Sequence, residues 1–465
     1  MRDRVLAQHL WEFVQEGVDC LARLREWPRR ILSAPRIYGD MELERELGSL
    51  DSYKRLRSYL HKRGIYARLE NSGHTWIWHR EVFEWLFLER VVKGAYDDKF
   101  LKRSFELVYR RAEREIFDDY LTLRRIHVIH GFPKIARPTR IAPGIRLVPF
   151  DLNSCGPFLY DALRIEFQSH DVDRWLHTDG VFLIHDMRVA KTEDGKAALR
   201  AQDAMREFQR VFLAALRLAI SGTVHPGTSF QTQVSRFPLF PIQEQTFWEA
   251  EHRWFVSDRD LRPDERGRIR RAWRMLEPYA TTAHDIGSQK GPFWAALRRY
   301  HSSYRLLDND DNLLDLIVAL ETLFAVEGEE LRRRLATRVA FFLGRTDRQR
   351  KDIYQLVLGV YDVRNALVHG GVDPGKRIRK ALASAFDTDP AEFGDKEGLE
   401  RGLFRAVLAL RAYVRASLWA HARLTGLDGH LTSPQGWPAG EDLDSLVLDS
   451  ARRKELQRLA GVGEC

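Results

Sequence analysis

From about residue 260 almost to residue 425, apolar residues recur at three- and four-residue intervals. That period limits the second half of the chain to packed amphipathic helices. The spacing predicts helices over 265–282, 292–306, 311–326, 329–344, 347–368 and 399–425. In the third, Leu313, Leu316, Ile317, Leu320 and Phe324 form one stripe, Asp310 or Asp311 caps the start and Gly328 closes the end. In the fourth, Leu331, Leu335, Val339 and Phe342 share a face, and Gly344 is the stop. A Pro/Gly linker (433–440) leads to a short tail whose Leu443, Leu446 and Val447 are placed to dock back on the body.

The first half is less uniform. To about residue 130 it reads as mainly helical, with Trp11, Val14, Val18, Leu21 and Leu24 at helical spacing before Pro28. Further stretches hold Val82, Phe83, Leu86, Val91 and Val92, then Phe105, Leu107, Val108, Ala112 and Ile116. A basic run, KRLRSYLHKRG (54–64), precedes alternation around Trp76 and Trp78. A nucleic-acid-binding wing and a solvated helix beside a packed hairpin both give that pattern. From about 133 to 190 prolines punctuate short apolar runs, among them IRLVPF (145–150), LRIEF (163–167) and VFLIHDMRV (181–189), which predicts a small sheet. One amphipathic helix follows, with Phe208, Phe212, Leu213, Leu216 and Ile220, ended by Gly222 and Pro226; 222–249 reads as a loop and a domain boundary.

At 44% hydrophobic and 11% aromatic, the 465-residue chain has the material for a sizeable core and is not disordered. Its three cysteines, Cys20, Cys155 and Cys465, are far apart, which excludes a disulfide framework or a Cys-rich zinc module and fits a reducing cytoplasm. No apolar run reaches the ~18 residues of a membrane span, and the N-terminus lacks the apolar core of a signal peptide. The expected location is cytoplasmic. The net charge of +8 comes from 74 Lys+Arg, of which 60 are Arg, against 66 Asp+Glu. Arginine suits bidentate phosphate contact, and a GC-rich genome gives the same bias.

The phosphate-cradling GxxxxGK[ST] loop, the GxGxxG fingerprint, the HExxH zinc helix and the GxSxG elbow are all missing from the sequence. His127 and His130 are spaced for a shared metal but lack a Cys or acidic companion, so packed or surface histidines are expected. His74 and His79 flank the Trp pair and read as hairpin surface. The run Asp308-Asn309-Asp310-Asp311 lies where a helix start needs carboxylates, so capping explains it before a cation does. No metal or cofactor is expected.

One segment is different: Tyr361-Asp362-Val363-Arg364-Asn365-Ala366-Leu367-Val368-His369-Gly370-Gly371. Arg364 is a permanent cation whose fork fits phosphate oxygens. His369 carries an imidazole, the side-chain group suited to moving a proton in either direction near neutrality. RNA cleavage needs such a pair, because the 2′-hydroxyl already supplies the nucleophile and the protein has only to shuttle protons and stabilise charge. On a regular helix Asn365 and His369 share a face, while Arg364 and His369 stand roughly 140° apart. Either the helix breaks near Gly370 and frees His369, or a second copy completes the site. An Arg in a surface ion pair and a His acting as a helix C-cap give the same residues without chemistry.

The run from 311 to 371 resembles the HEPN superfamily, most closely its ApeA-like branch. The likeness rests on Leu313, Asp315, Ile317, Ala319, Leu320 and Glu321, then on Leu331, Arg334, Leu335, Ala336, Arg338 and Ala340. Leu343-Gly344 follows, and then Tyr361, Asp362, Arg364, Asn365, His369 and the double glycine. Many ApeA-like members carry Ser after the Arg; Asn365 here is the residue typical of the wider superfamily. The resemblance implies a four- or five-helix bundle that dimerises, with two Arg/His motifs meeting across a two-fold cleft. It implies a metal-independent endoribonuclease used in antiphage defence, abortive infection or toxin–antitoxin systems. Arg364 would bind and polarise the scissile phosphate, His369 would be general acid/base, and Asn365 would orient it or contact the phosphate. Glu321 would partner Arg338 or Arg364, or serve packing alone; Tyr361 and Asp362 lie beside the motif as further supporting neighbours.

The expected chain is thus α+β and mainly helical, with a small β-containing N-terminal module and a C-terminal HEPN helical bundle. Its parts are a helical segment (1–132), a β-containing module with one long helix (133–250), the ApeA-like HEPN domain (260–430) and a linker with tail (431–465). The expected partners are RNA as substrate, a second copy through the HEPN domain, and a phage-derived or antitoxin regulator, with no membrane. Two other readings stay open: a HEPN scaffold that dimerises and binds RNA without turnover, and a sensor whose function lies in the N-terminal region.

Overall fold

The computed structural model describes residues 2–24, 41–70, 82–93, 98–149, 180–190, 197–222, 224–233, 243–245, 259–280, 287–304, 308–324, 330–369, 373–428, 436–438 and 440–462. The expectations for Pro28, His74, Trp76, Trp78, His79, Cys155, LRIEF (163–167), Gly328, Gly370, Gly371 and Cys465 lie outside these residues. The fold is α+β and mainly helical, and the chain divides into two compact units.

The first unit holds Met1–His127, Ile184–Met205 and Ser229–Gln245. Its helices are α1 (Arg4–Leu24), α2 (Met41–Ser49), α3 (Asp51–Lys62), α4 (Ile65–Glu70), α5 (Val82–Lys93) and α6 (Asp98–Phe117). Their apolar faces meet in one core that includes Leu6, Leu10, Phe13, Leu56, Phe87, Leu88 and Tyr109. Glu16 reaches from α1 to accept a 3.2 Å bond from the Ser52 amide, satisfying a donor at the start of α3.

The sheet strands are β1 (Tyr120–His130), β2 (Thr139–Ala142), β3 (Ile145–Pro149), β4 (Gly180–Ala190), β5 (His225–Gln233) and β6 (Gln243–Gln245), in the order β2-β3-β4-β1-β5-β6. Within the first unit, Arg124 of β1 clamps Asp186 of β4 through two bonds of 2.6 and 2.8 Å. Two expectations are corrected here. Residues 120–130 belong to the sheet and not to a helical segment, because Thr122, Ile126, Val128 and Ile129 are β-branched and lack helical spacing. The stretch 222–249 contains β5 and β6, paired antiparallel with Ser229 opposite Gln245, so strand pairing overrides the loop signal of Pro226 and Gly227.

The second unit holds Val128–Leu183, Arg206–Thr228 and Thr246–Cys465. The long helix α7 (Ala197–Ala219) supplies its second half to this unit, where Phe208 and Phe212 pack on Trp273 at ring separations of 5.1 and 5.2 Å. Trp273 lies on α8 (Pro263–Leu276). Then come α9 (Pro292–Ser302), α10 (Asn309–Phe324), α11 (Leu331–Leu343), α12 (Asp347–His369), α13 (Pro374–Phe386), α14 (Lys396–Leu424), α15 (Gly440–Leu448) and α16 (Ser450–Leu459). Cuts at 132 and 250 therefore do not coincide with these units, because β1, β4, β5 and α7 each contribute residues to both.

Helix α13 adds to the helices expected from spacing, and its signals are in the sequence. Asp373 accepts a 2.9 Å bond from the Lys376 amide, Pro374 opens the helix, and Ile378, Ala381, Leu382 and Ala385 face inward. The tail is helical and docked: Leu443 and Leu446 are buried in the core of this unit, and Val447 is half-buried. Among the described residues, no helix is long and apolar enough to cross a membrane.

Helix α12 lies so close to α13 that Gly359 has no room for a side chain. A Cβ there would sit 2.6 Å from the Ala385 Cβ and 2.9 Å from the Ala381 carbonyl oxygen. The neighbours are backbone and a methyl, so neither can swing away. Gly359→Ala is expected to destabilise the protein by ~1–3 kcal/mol, against the usual helix-propensity gain of the exchange. Urea unfolding of the two proteins measures the difference.

Candidate active site

The segment singled out in the sequence forms the last turns of α12. The helix begins at a reciprocal cap: the Thr346 hydroxyl accepts from the Gln349 amide (3.2 Å), and the Gln349 side chain accepts from the Arg345 and Thr346 amides (3.0 and 3.2 Å). Ile353, Leu356, Val357, Val360, Val363 and Ala366 bury one face, which fixes the rotation of the helix and leaves Arg364 and Asn365 half-buried and His369 exposed.

Arg364 is held by two neighbours. Its Nη1 donates to the Asn365 side-chain oxygen at 3.1 Å, and its guanidinium carbon lies 5.6 Å from the centre of the Tyr361 ring. The Tyr361 hydroxyl donates to Glu321 Oε1 at 2.9 Å. Burial first, and then the bond to the Glu321 carboxylate, push the Tyr361 phenol above its ordinary range, so it stays protonated and remains the donor. Glu321 on α10 thus reaches Arg364 through Tyr361, one turn before the arginine.

The other two neighbours are tied elsewhere. Asp362 pairs with Arg332 of α11. Arg338 is 1% exposed and forks onto Asp444 of α15 at 2.7 and 2.8 Å, while its Nη1 donates to the Phe324 carbonyl at 2.7 Å. Arg338 therefore binds the tail, and Glu321 turns to Tyr361. No local pattern could have announced Asp444 as the partner, since it stands 106 residues away in sequence.

The helical backbone continues through His369. A break near Gly370 would lie outside the described residues, and Arg364 and His369 leave one helix roughly 140° apart at ~100° per residue. Asn365 shares the side of His369. Beside the histidine, Val368 is 51% exposed, an apolar side chain left uncovered.

His127 and His130 are both buried on β1, where a spacing of three sends side chains to opposite faces of a strand. Burial, with Arg125 and His185 nearby, holds His127 well below the ordinary imidazole range and hence neutral. The carboxylate of Asp308 accepts a 2.9 Å bond from the Asp310 amide at the start of α10, a capping contact. Among the described residues, no three His, Cys, Asp or Glu side chains gather as metal ligands would.

No family model, no curated protein and no solved structure matches this chain. The chemistry of the site has to be read from its own geometry.

The Arg338–Asp444 fork has a pH signature. Bonding to Arg338, aided by Arg334, holds the Asp444 carboxyl below its ordinary range. A depressed carboxyl contributes stability that is complete above its unfolded-state pKa, about 3.9, and lost as pH falls through the folded value. Asp444→Asn leaves the Arg338 charge buried with a weaker partner and is expected to cost ~1–3 kcal/mol at neutral pH. It should also flatten the acid limb below about pH 4. Urea unfolding of wild type and variant across pH measures both effects.

Proposed function

We propose that the chain is a metal-independent endoribonuclease of the HEPN type, working as a cytoplasmic homodimer in antiphage defence or as a toxin-type effector. The observation that carries this reading is the state of α12: helical through His369, with a braced Arg364 and an exposed His369 on different sides. One copy supplies a phosphate-binding fork and a mobile proton carrier that do not face each other. A second copy, brought in over the uncovered Val368, would set the Arg364 of each chain beside the His369 of the other.

In that arrangement His369 takes the proton of a 2′-hydroxyl, and the oxygen attacks the adjacent phosphorus. Arg364 binds the two non-bridging oxygens and stabilises the charge that builds on the phosphorane. The 5′-oxygen leaves with a proton from the second imidazole, giving a 2′,3′-cyclic phosphate and a 5′-hydroxyl. Asn365 keeps the fork of Arg364 aimed, and the Glu321–Tyr361 bond fixes the ring under it.

The test is induction of wild type beside the Arg364→Ala/His369→Ala double variant, with and without phage challenge, and total RNA run on a gel. RNA fragments with wild type alone support the enzyme. Identical behaviour in every condition removes the motif from any chemistry and leaves a scaffold that binds without turnover.

With purified protein, His369→Ala is expected to lower cleavage by at least ~100-fold with an unchanged circular dichroism spectrum. Arg364→Lys should be severely impaired as well, because a point charge cannot replace the fork. EDTA should leave activity intact, products should carry a 2′,3′-cyclic phosphate by mass spectrometry, and DNA should resist. Chelator-sensitive cleavage, or cleavage of DNA, would contradict the scheme.

A further inference from the structure

Arginines on α8 divide into two sets by what they touch. Arg268 bonds Asp264 at 3.1 Å, while Arg262 at the cap and Arg259 before it both bond Glu265. These account for the carboxylates at the start of the helix. The solvent side of the helix, away from buried Ile269, Ala272, Trp273 and Leu276, carries exposed Arg270 and Arg274, with Arg266 and Arg271 half-buried at its borders. Among the described residues none of these four forms an ion pair; the Nε of Arg270 and of Arg274 donate to the carbonyls of Arg140 and Arg270 at 3.1 and 3.4 Å.

The first of those bonds places the helix against the β2–β3 hairpin of the same unit, where Arg140 stands directly opposite Arg146 in the antiparallel register. Like charges directly opposite on one sheet face repel. Their neighbours Thr139, Ile141, Ile145 and Leu147 are buried, so the pair lies on the other face of the hairpin, where Arg140 is exposed and Arg146 half-buried. Neither forms an ion pair among the described residues. Arg140, Arg270 and Arg274 are all exposed, and with the carboxylates at the start of α8 engaged elsewhere they concentrate positive charge that no described carboxylate pairs with.

Spacing adds geometry to the charge. Exposed Arg270 and Arg274 are four residues apart, so they step along the α8 axis by about 6 Å. That interval suits successive phosphates of an extended nucleic-acid strand, and each guanidinium can fork onto a phosphate. We propose that the outer face of α8 and the β2–β3 hairpin is a sequence-independent binding surface for the phosphate backbone of single-stranded RNA, separate from the Arg364/His369 motif. The choice of RNA among polyanions rests on the endoribonuclease reading; the surface itself does not.

The test uses the full chain carrying His369→Ala, so that the probe is not consumed, with and without Arg140→Gln/Arg270→Gln/Arg274→Gln. A short unstructured fluorescein-labelled RNA is titrated by anisotropy between about 50 and about 200 mM salt. The triple variant is expected to bind at least ~10-fold more weakly at the low-salt end, with a log–log salt slope shallower by about 2, as three lost phosphate contacts require. Equal affinity and equal slope would overturn the proposal. Tighter, arginine-dependent binding to anionic phospholipid vesicles than to RNA would overturn it as well. Circular dichroism checks the fold; if the triple variant unfolds, the single Arg270→Gln and Arg274→Gln proteins are read instead, each expected to lose about 0.7 in slope.

The two readings fail separately. Arginine-dependent RNA binding with no cleavage by wild type would keep this surface and discard the nuclease. Cleavage by wild type with unchanged binding by the triple variant would do the reverse.

Discussion

Helices α10 and α11 end inside the second unit, and a helix that ends away from water leaves carbonyls that must find donors. Side chains from the last part of the chain provide them. Trp437 Nε1 donates to Leu323 at 2.8 Å and Arg338, itself clamped by Asp444, donates to Phe324. One amide, Gln457 Nε2, serves Phe341, Phe342 and Gly344 within 3.0–3.2 Å. The orientation of α10 matters most for the candidate site, because Glu321 rides on it and braces Tyr361. The tail thus holds in place the helix that steadies Arg364, without touching the motif.

Helical spacing made most of the second unit legible. The stripe of Leu313, Leu316, Ile317 and Leu320 and the stop at Gly344 are where periodicity places them, since each is decided within a few residues. What failed to show was decided at a distance. No Pro or Gly marks the end of the helix before residue 120, so 120–130 pass for its continuation until their strand partners are known, and the β5 pairing outvotes a Pro-Gly pair. The site divides in the same way. Arg364, Asn365 and His369 stand out as a motif, yet Glu321 choosing Tyr361 and Arg338 choosing Asp444 are consequences of packing between helices. Helix α13 is the exception, set by a local signal at Asp373-Pro374.

The arginine excess has a structural division that composition hides. Some guanidiniums are buried fasteners: Arg338 on Asp444, or Arg217 bonded to the Val224 carbonyl at 3.0 Å while stacked 4.5 Å from the Tyr304 ring. Others pair on the surface, where exposed ion pairs contribute little. A third set, Arg140, Arg270 and Arg274 on the hairpin and α8, is exposed and pairs with no described carboxylate. A codon bias would enrich all three alike, so it is the sorting of arginines among partners, more than their number, that separates architecture from recognition.

The docked tail also sets an order of assembly. During synthesis the Arg364–His369 segment leaves the ribosome before Trp437, Asp444 and Gln457 exist as chain, and until they arrive the ends of α10 and α11 face water. A nascent chain therefore carries the whole motif on a bundle whose helix ends are still open. Completion of the tail, a matter of translation and not of any ligand, is the event that closes the ends of α10 and α11.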